Sequence, residues 1–119
     1  SEVPEDAPIA QSFEAIAVSM AKVWHTDPDL LVEVGLVGLR NASKGLPIIN
    51  HPLLDALITR VELAMDRGEI DAIIPAEQYS QFFLMNMLAS ALGWVGNQDM
   101  QLEAVLRGVV LFFMRASRS

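Results

Sequence analysis

Apolar residues recur at steps of three or four through most of this chain, in five stretches separated by Pro, Gly or Asx residues. That period belongs to helices, and the two-residue alternation of strands is almost absent. The first predicted helix runs from about Pro8 to Trp24, with Ile9, Phe13, Ile16, Met20 and Val23/Trp24 on one stripe. Thr26-Asp27-Pro28-Asp29 then supplies a cap, a proline suited to the first helical position and an acid for the first turn. The second helix, about Pro28 to Ala42, is apolar nearly all round from Leu30 to Leu39, which predicts burial on most faces. Gly45-Leu46-Pro47 ends it, and Asn50-His51-Pro52 opens the third.

The third helix, Pro52 to Arg67, is the cleanest amphipathic segment. Leu54, Leu57/Ile58, Val61 and Met65 mark one side, and Asp55, Thr59, Glu62 and Asp66 the other. Gly68 suits the left-handed conformation that closes a helix, and Arg67 sits where the helix dipole favours a cation. The fourth helix starts at about Pro75 and reaches Val95. Beyond Phe82 only Asn86 and Ser90 are polar in it. The fifth, about Met100 to Ala116, ends in the apolar run Val109-Val110-Leu111-Phe112-Phe113-Met114. One small domain does not easily bury two such cylinders. The expected fold is therefore an all-α five-helix bundle, residues 1–119 forming a single domain, whose last two helices make a four-helix interface with a second copy. Ala89, Gly93, Leu106, Val109, Val110, Phe112 and Phe113 are the candidates for that interface.

Composition sharpens this picture. The chain is 52% hydrophobic and only 19% charged, which suggests apolar surface covered by a partner or ligand. No apolar run reaches the roughly 18–20 residues of a membrane span. Cysteine is absent and no signal peptide is visible, so an intracellular, cytoplasmic home is the expectation. The net charge is −7, and the scattered basic residues form no stripe, which argues against a nucleic-acid surface on this chain. The opening Ser1-Glu2-Val3-Pro4, without an initiator methionine, suggests a processed product or an excised fragment.

Catalytic chemistry finds little support. His25 and His51 are the general-base candidates near neutral pH. Neither has a Glu three residues before it, and no zinc-helix, phosphate-loop or nucleophile-elbow motif is present. His51 reads as a residue at a helix start, and His25 as a favourable charge at a helix end. No catalytic residue, metal ligand or cofactor site is expected. Glu33, alone in "LLVEVGLVGL", must be solvated, paired with an Arg such as Arg40 or Arg60, or turned to a cavity. Asn86 either bonds across the dimer seam or orients a polar group of a ligand.

A helix ending in Arg67-Gly68-Glu69-Ile70, a short acidic connection and two long apolar closing helices resembles the C-terminal half of the TetR family of transcriptional regulators. Asp27-Pro28-Asp29-Leu30-Leu31, the stretch Pro52 to Ile70 and "LRGVVLFF" at Leu106 to Phe113 carry the likeness, which covers the whole chain in layout. The motifs are degenerate singly, and their order is what resembles the family. The resemblance implies a regulatory domain that homodimerises through its last two helices and encloses a pocket for a small apolar effector. Operator DNA would be read only by an N-terminal helix-turn-helix domain, which this sequence lacks. The pocket would lie among the first, third and fourth helices, with Phe13, Met20, Trp24, Glu33, Met65, Tyr79, Phe83 and Asn86 as candidate lining. Taken singly, the apolar members also read as plain core. The rival expectation is a structural dimerisation module without a pocket, and a third is a bundle enzyme dependent on His25.

Overall fold

A computed structural model describes residues 3–47 and 51–116, and among them it contains five helices and no strand. These are α1 (Ile9–Thr26), α2 (Pro28–Ser43), α3 (His51–Asp66), α4 (Ala76–Val95) and α5 (Leu102–Ala116). Asn50 and the side chain of His51 lie outside the described residues, and with them the expected opening of α3.

The punctuation works as local chemistry. The Asp27 carboxylate accepts the backbone N–H of Leu30 at 3.0 Å, and Pro28 occupies the first turn of α2, where no donor is missed. Gly45 (φ 73°) and Gly68 (φ 78°) take the left-handed conformation after α2 and α3. At each, the next amide reaches back to a helical carbonyl: Leu46 N to Asn41 O at 2.8 Å, and Glu69 N to Ala64 O at 2.8 Å. These paired closures satisfy carbonyls that a helix end otherwise orphans.

α4 is the hub. It packs on α2, α3 and α5, while α1 lies along α5 and touches α2 and α3. The centre is aromatic. Phe13 of α1 stacks on Phe83 of α4 with centroids 4.2 Å apart and rings inclined by 18°. Phe113 of α5 meets Phe83 edge-on at 5.2 Å and Tyr79 edge-on at 5.8 Å. Three helices thus share one ring cluster. Such pairs contribute about 0.5–1.5 kcal/mol each beyond the burial of their surface.

α2 differs from its expected burial. It turns only the narrow stripe Leu31, Gly35 and Gly38 inward. A Cβ placed on Gly35 would stand 2.9 Å from Leu92 Cδ1, so a larger residue there would require the Leu92 side chain of α4 to shift. The rest of α2 faces solvent, with Leu30, Val34, Leu36, Val37 and Leu39 all exposed.

α5 also departs from expectation. Its second half is apolar all round in sequence, yet the subunit buries a single stripe of the helix, Leu102, Leu106, Val110 and Phe113. Leu106, Val110 and Phe113 were expected at a dimer interface. The structure places them in the subunit's own core, because their four- and three-residue spacing aims them together at α1 and α4. Leu111 and Phe112 are left outside.

The ring cluster makes a direct expectation. Replacing Phe83 with Ala should lower the unfolding free energy by about 3–5 kcal/mol in urea titration, the usual cost of emptying a packed aromatic site. A loss below about 1 kcal/mol would show that the ring is not packed as described.

Candidate functional site

The residues expected to line an effector pocket do not converge on one cavity. Phe13 and Phe83 are fully buried and stacked on one another, and Tyr79 and Trp24 are buried in the same core. Trp94 of α4 donates its indole N–H to the Met100 carbonyl at 2.8 Å. Met20 and Met65 are half-buried at the edge of the core and border two different clefts. Glu33 is exposed on α2 and has no ion-pair partner among the described residues. Arg60, one of its two expected partners, is engaged elsewhere. Asn86 donates its side-chain N–H to the Phe82 carbonyl of its own helix at 2.8 Å, so that donor is already used.

The clefts lie at the surface. One, of about 760 Å³, runs over α1 and is bordered by Glu14, Ile16, Val18, Met20, Leu53 and Arg107. A second, about 450 Å³, sits where the end of α1 meets the α4–α5 turn, bordered by Lys22, His25, Asp99 and Glu103. A third, about 510 Å³, lies between α3 and the start of α4 beside Glu62, Met65 and Ala76. All three open widely to solvent. Their volumes fall in the range of small-molecule sites, but such sites are usually enclosed. His25 is exposed in the last turn of α1, its ring 5.9 Å from that of Trp94. Among the described residues no group of three or more His, Cys, Asp or Glu could hold a metal ion. No helix there is long and apolar enough to cross a membrane.

The polar constellation that does form was not anticipated from sequence. α1 starts after Pro8 without a side-chain cap of its own. Its first amide, Ile9 N–H, donates instead to Glu69 Oε1 at 2.8 Å, from the break after α3. Arg67 holds that carboxylate in place, with Nε 2.7 Å from Oε2 and Nη2 3.3 Å from Oε1. Its guanidinium also donates to the Ala7 carbonyl at 3.2 Å and to the Glu5 carbonyl at 3.4 Å. About two helical turns before Arg67, Arg60 of α3 donates to Val3 O at 2.7 Å, Pro4 O at 3.1 Å and Ser12 Oγ at 3.0 Å. The segment before α1 is therefore fastened to α3 by two arginines. The hydrogen bond to Glu69 raises the Arg67 pKa, partial burial opposes it, and the charges of Glu69 and Asp6 add to the rise. The guanidinium remains charged throughout the working range of pH. Arg67 does more than answer the helix dipole, which was its expected role. Periodicity carries no sign of this clasp. The available hint was a helix start lacking a cap, with a Glu elsewhere in need of a donor.

Ser80 is the other unexpected group. It is fully buried on α4, and its hydroxyl has no hydrogen-bond partner among the described residues.

Two exposed apolar faces complete the survey. One is the outer side of α2 described above. The other straddles α4 and α5: Phe82 and Phe112 are 56% and 68% exposed, and both rings flank Phe113, at 5.9 and 6.1 Å. Ala89 and Gly93 are exposed further along α4, and Val109 is half-buried on α5.

No protein-family model, curated protein or solved structure matches this chain. Its role has to be argued from its own surfaces.

Two outcomes are expected for the polar groups. Glu69→Ala uncaps α1 and should cost about 1 kcal/mol, the usual value of a helix cap, with a thermal midpoint lower by a few degrees. Ser80→Ala removes a buried hydroxyl without a partner among the described residues and should stabilise the fold by about 1 kcal/mol. A destabilised Ser80→Ala protein would mean that the hydroxyl has a partner after all.

Proposed function

We propose that this chain is the dimerisation core of a TetR-like regulator, joined to its twin through the outer faces of α4 and α5. One observation carries the reading: Phe82 and Phe112, from adjacent helices, each lie against the Phe113 ring and are left largely exposed to water. Burying an aromatic side chain is worth about 1.5–3 kcal/mol, so two exposed neighbouring rings favour any arrangement that covers them. Gly93 and Gly108 point the same way. A Cβ added at either would meet nothing within 4 Å. A glycine inside a helix costs about 1 kcal/mol relative to Ala, and neither position is crowded within the subunit. Close approach of a second pair of helices gives both glycines a use. Two helices from each copy then form the four-helix seam of an isologous dimer. Ala89, Gly93, Val109 and Phe112 belong to that seam; Leu106, Val110 and Phe113 support it from behind.

Effector binding is the second element of the reading. It draws on the resemblance and on the cleft over α1, whose Ile16, Val18 and Met20 offer apolar contact and whose Glu14 and Arg107 offer charge. The aromatic cluster weighs against a pocket deeper in the bundle, because Phe13 and Phe83 fill the space between α1 and α4. A dimerisation module without a ligand is favoured by that same packing. In the regulator reading the protein is cytoplasmic, its effector shifts the balance between two dimer arrangements, and operator DNA is held by a helix-turn-helix domain not contained in this sequence. The −7 charge accords with that division of labour.

Light scattering at low-micromolar concentration should give twice the mass of the chain, and Phe112→Glu should give a single-chain mass. A wild-type monomer under those conditions, or a Phe112→Glu protein still dimeric, would remove the α4–α5 seam. Native mass spectrometry against a series of lipophilic ligands separates the two readings. Bound species with a raised thermal midpoint support the regulator, and none across the series supports the ligand-free module.

A further inference from the structure

The α4–α5 seam leaves the outer face of α2 uncovered, and that face has a charge pattern of its own. Seven residues advance an α-helix by two turns less about 20°, so Glu33 and Arg40 stand on nearly the same line, about 10 Å apart. That line runs down the middle of the exposed side of α2, opposite the buried stripe of Leu31, Gly35 and Gly38. Leu36 and Val37 lie between the two charges, 56% and 54% exposed, with Leu30 and Val34 alongside. Neither Glu33 nor Arg40 has an ion-pair partner among the described residues.

We propose that this face pairs with α2 of a second copy, the two helices running antiparallel about a two-fold axis that passes between Leu36 and Val37. An acid at one end and a base at the other, equidistant from an apolar centre, is the arrangement that complements itself under such an axis. Glu33 then meets Arg40 of the partner subunit, and Arg40 meets Glu33 of the partner subunit. The aliphatic centres cover each other. A membrane does not suit the face, because Glu33 lies on its midline, Asp29 is exposed nearby and the chain carries a charge of −7. A basic or an acidic partner satisfies one end and opposes the other. A second copy answers both.

A single pair of helices makes a small interface, at the weak and transient end of the size range. It acts at hundreds of micromolar in solution, and more effectively when the α4–α5 seam presents two such faces together. Two different isologous contacts on one subunit give either a closed tetramer or an open chain of dimers, depending on the angle between the two axes. The α2 face is thus a route from dimer to higher assembly.

Sedimentation equilibrium on the Phe112→Glu protein tests α2 without help from the α4–α5 seam. At hundreds of micromolar the protein should form a reversible dimer. Glu33→Arg or Arg40→Glu in that background places like charges opposite each other twice, and should weaken the dimer about tenfold or more. The combined E33R/R40E swap recreates both pairs and should return the dissociation constant to within about threefold of the parent. Circular dichroism confirms that each exposed-site variant stays folded. Where Phe112→Glu is insoluble, the wild type gives the same readout as a dimer-to-tetramer step, lost in Val37→Glu and in each single charge variant and regained in the double. A protein showing no concentration-dependent step, or single variants that associate as well as their parent, would overturn the proposal. A double swap as weak as the singles would do so too. The low-micromolar mass is governed by α4–α5 alone, so failure of that seam and failure of this face are read separately.

Discussion

The constraint on which this fold turns is the contact between Phe13, Phe83 and Phe113, one ring from each of three helices. Rings that meet face to face and edge to face fix more than distance: they set how each helix is rotated about its own axis. With Phe113 turned inward, the residues three, seven and eleven positions before it, Val110, Leu106 and Leu102, follow it into the core. Successive helical residues point about 100° apart, so Phe112 is driven outward by the same rotation. The exposed ring is a consequence of the buried one. The surface proposed for dimerisation is written into the core packing, and a change that rotated α5 would alter both at once.

Around this aromatic centre lies a polar counterpart made from the least regular parts of the chain. The break after α3 and the segment before α1 hold no periodic pattern, yet Arg60, Arg67 and Glu69 connect them through backbone carbonyls and one helix-start amide. Each contact satisfies a group that a helix end or an extended segment would otherwise present to water. The two systems divide the work. The rings set how the helices pack, and the clasp sets how the chain enters the first of them.

Most of the helices were legible because their signals are local. Asp27 and Pro28 open α2, Gly45 and Gly68 close α2 and α3, and each does so through bonds within a few residues of itself. Buried and exposed faces were harder. The apolar run from Val109 to Met114 says that the helix is apolar, not which side the subunit keeps for itself. α2 misled for a related reason: Leu30 to Leu39 reads as a core helix, but two of its three buried positions are Gly35 and Gly38, beside Leu31. Their lack of side chains removes them from any hydrophobic stripe. The candidate pocket residues were largely core residues, since the spacing that turns a side chain toward a cavity is the spacing that turns it toward a neighbour. The clasp left no periodic trace, because carbonyl acceptors are the same in every residue.

Glu69 has a further consequence, for the way the molecule comes apart. An ordinary helix frays from its first turn, since a local cap is released together with the residues it caps. Here the cap of α1 is held at the far end of α3 by an arginine that also grips the strand of chain leading into α1. Opening the start of one helix therefore means disturbing the end of another, roughly half the chain away. The first and middle thirds of the polypeptide are bound into one cooperative unit.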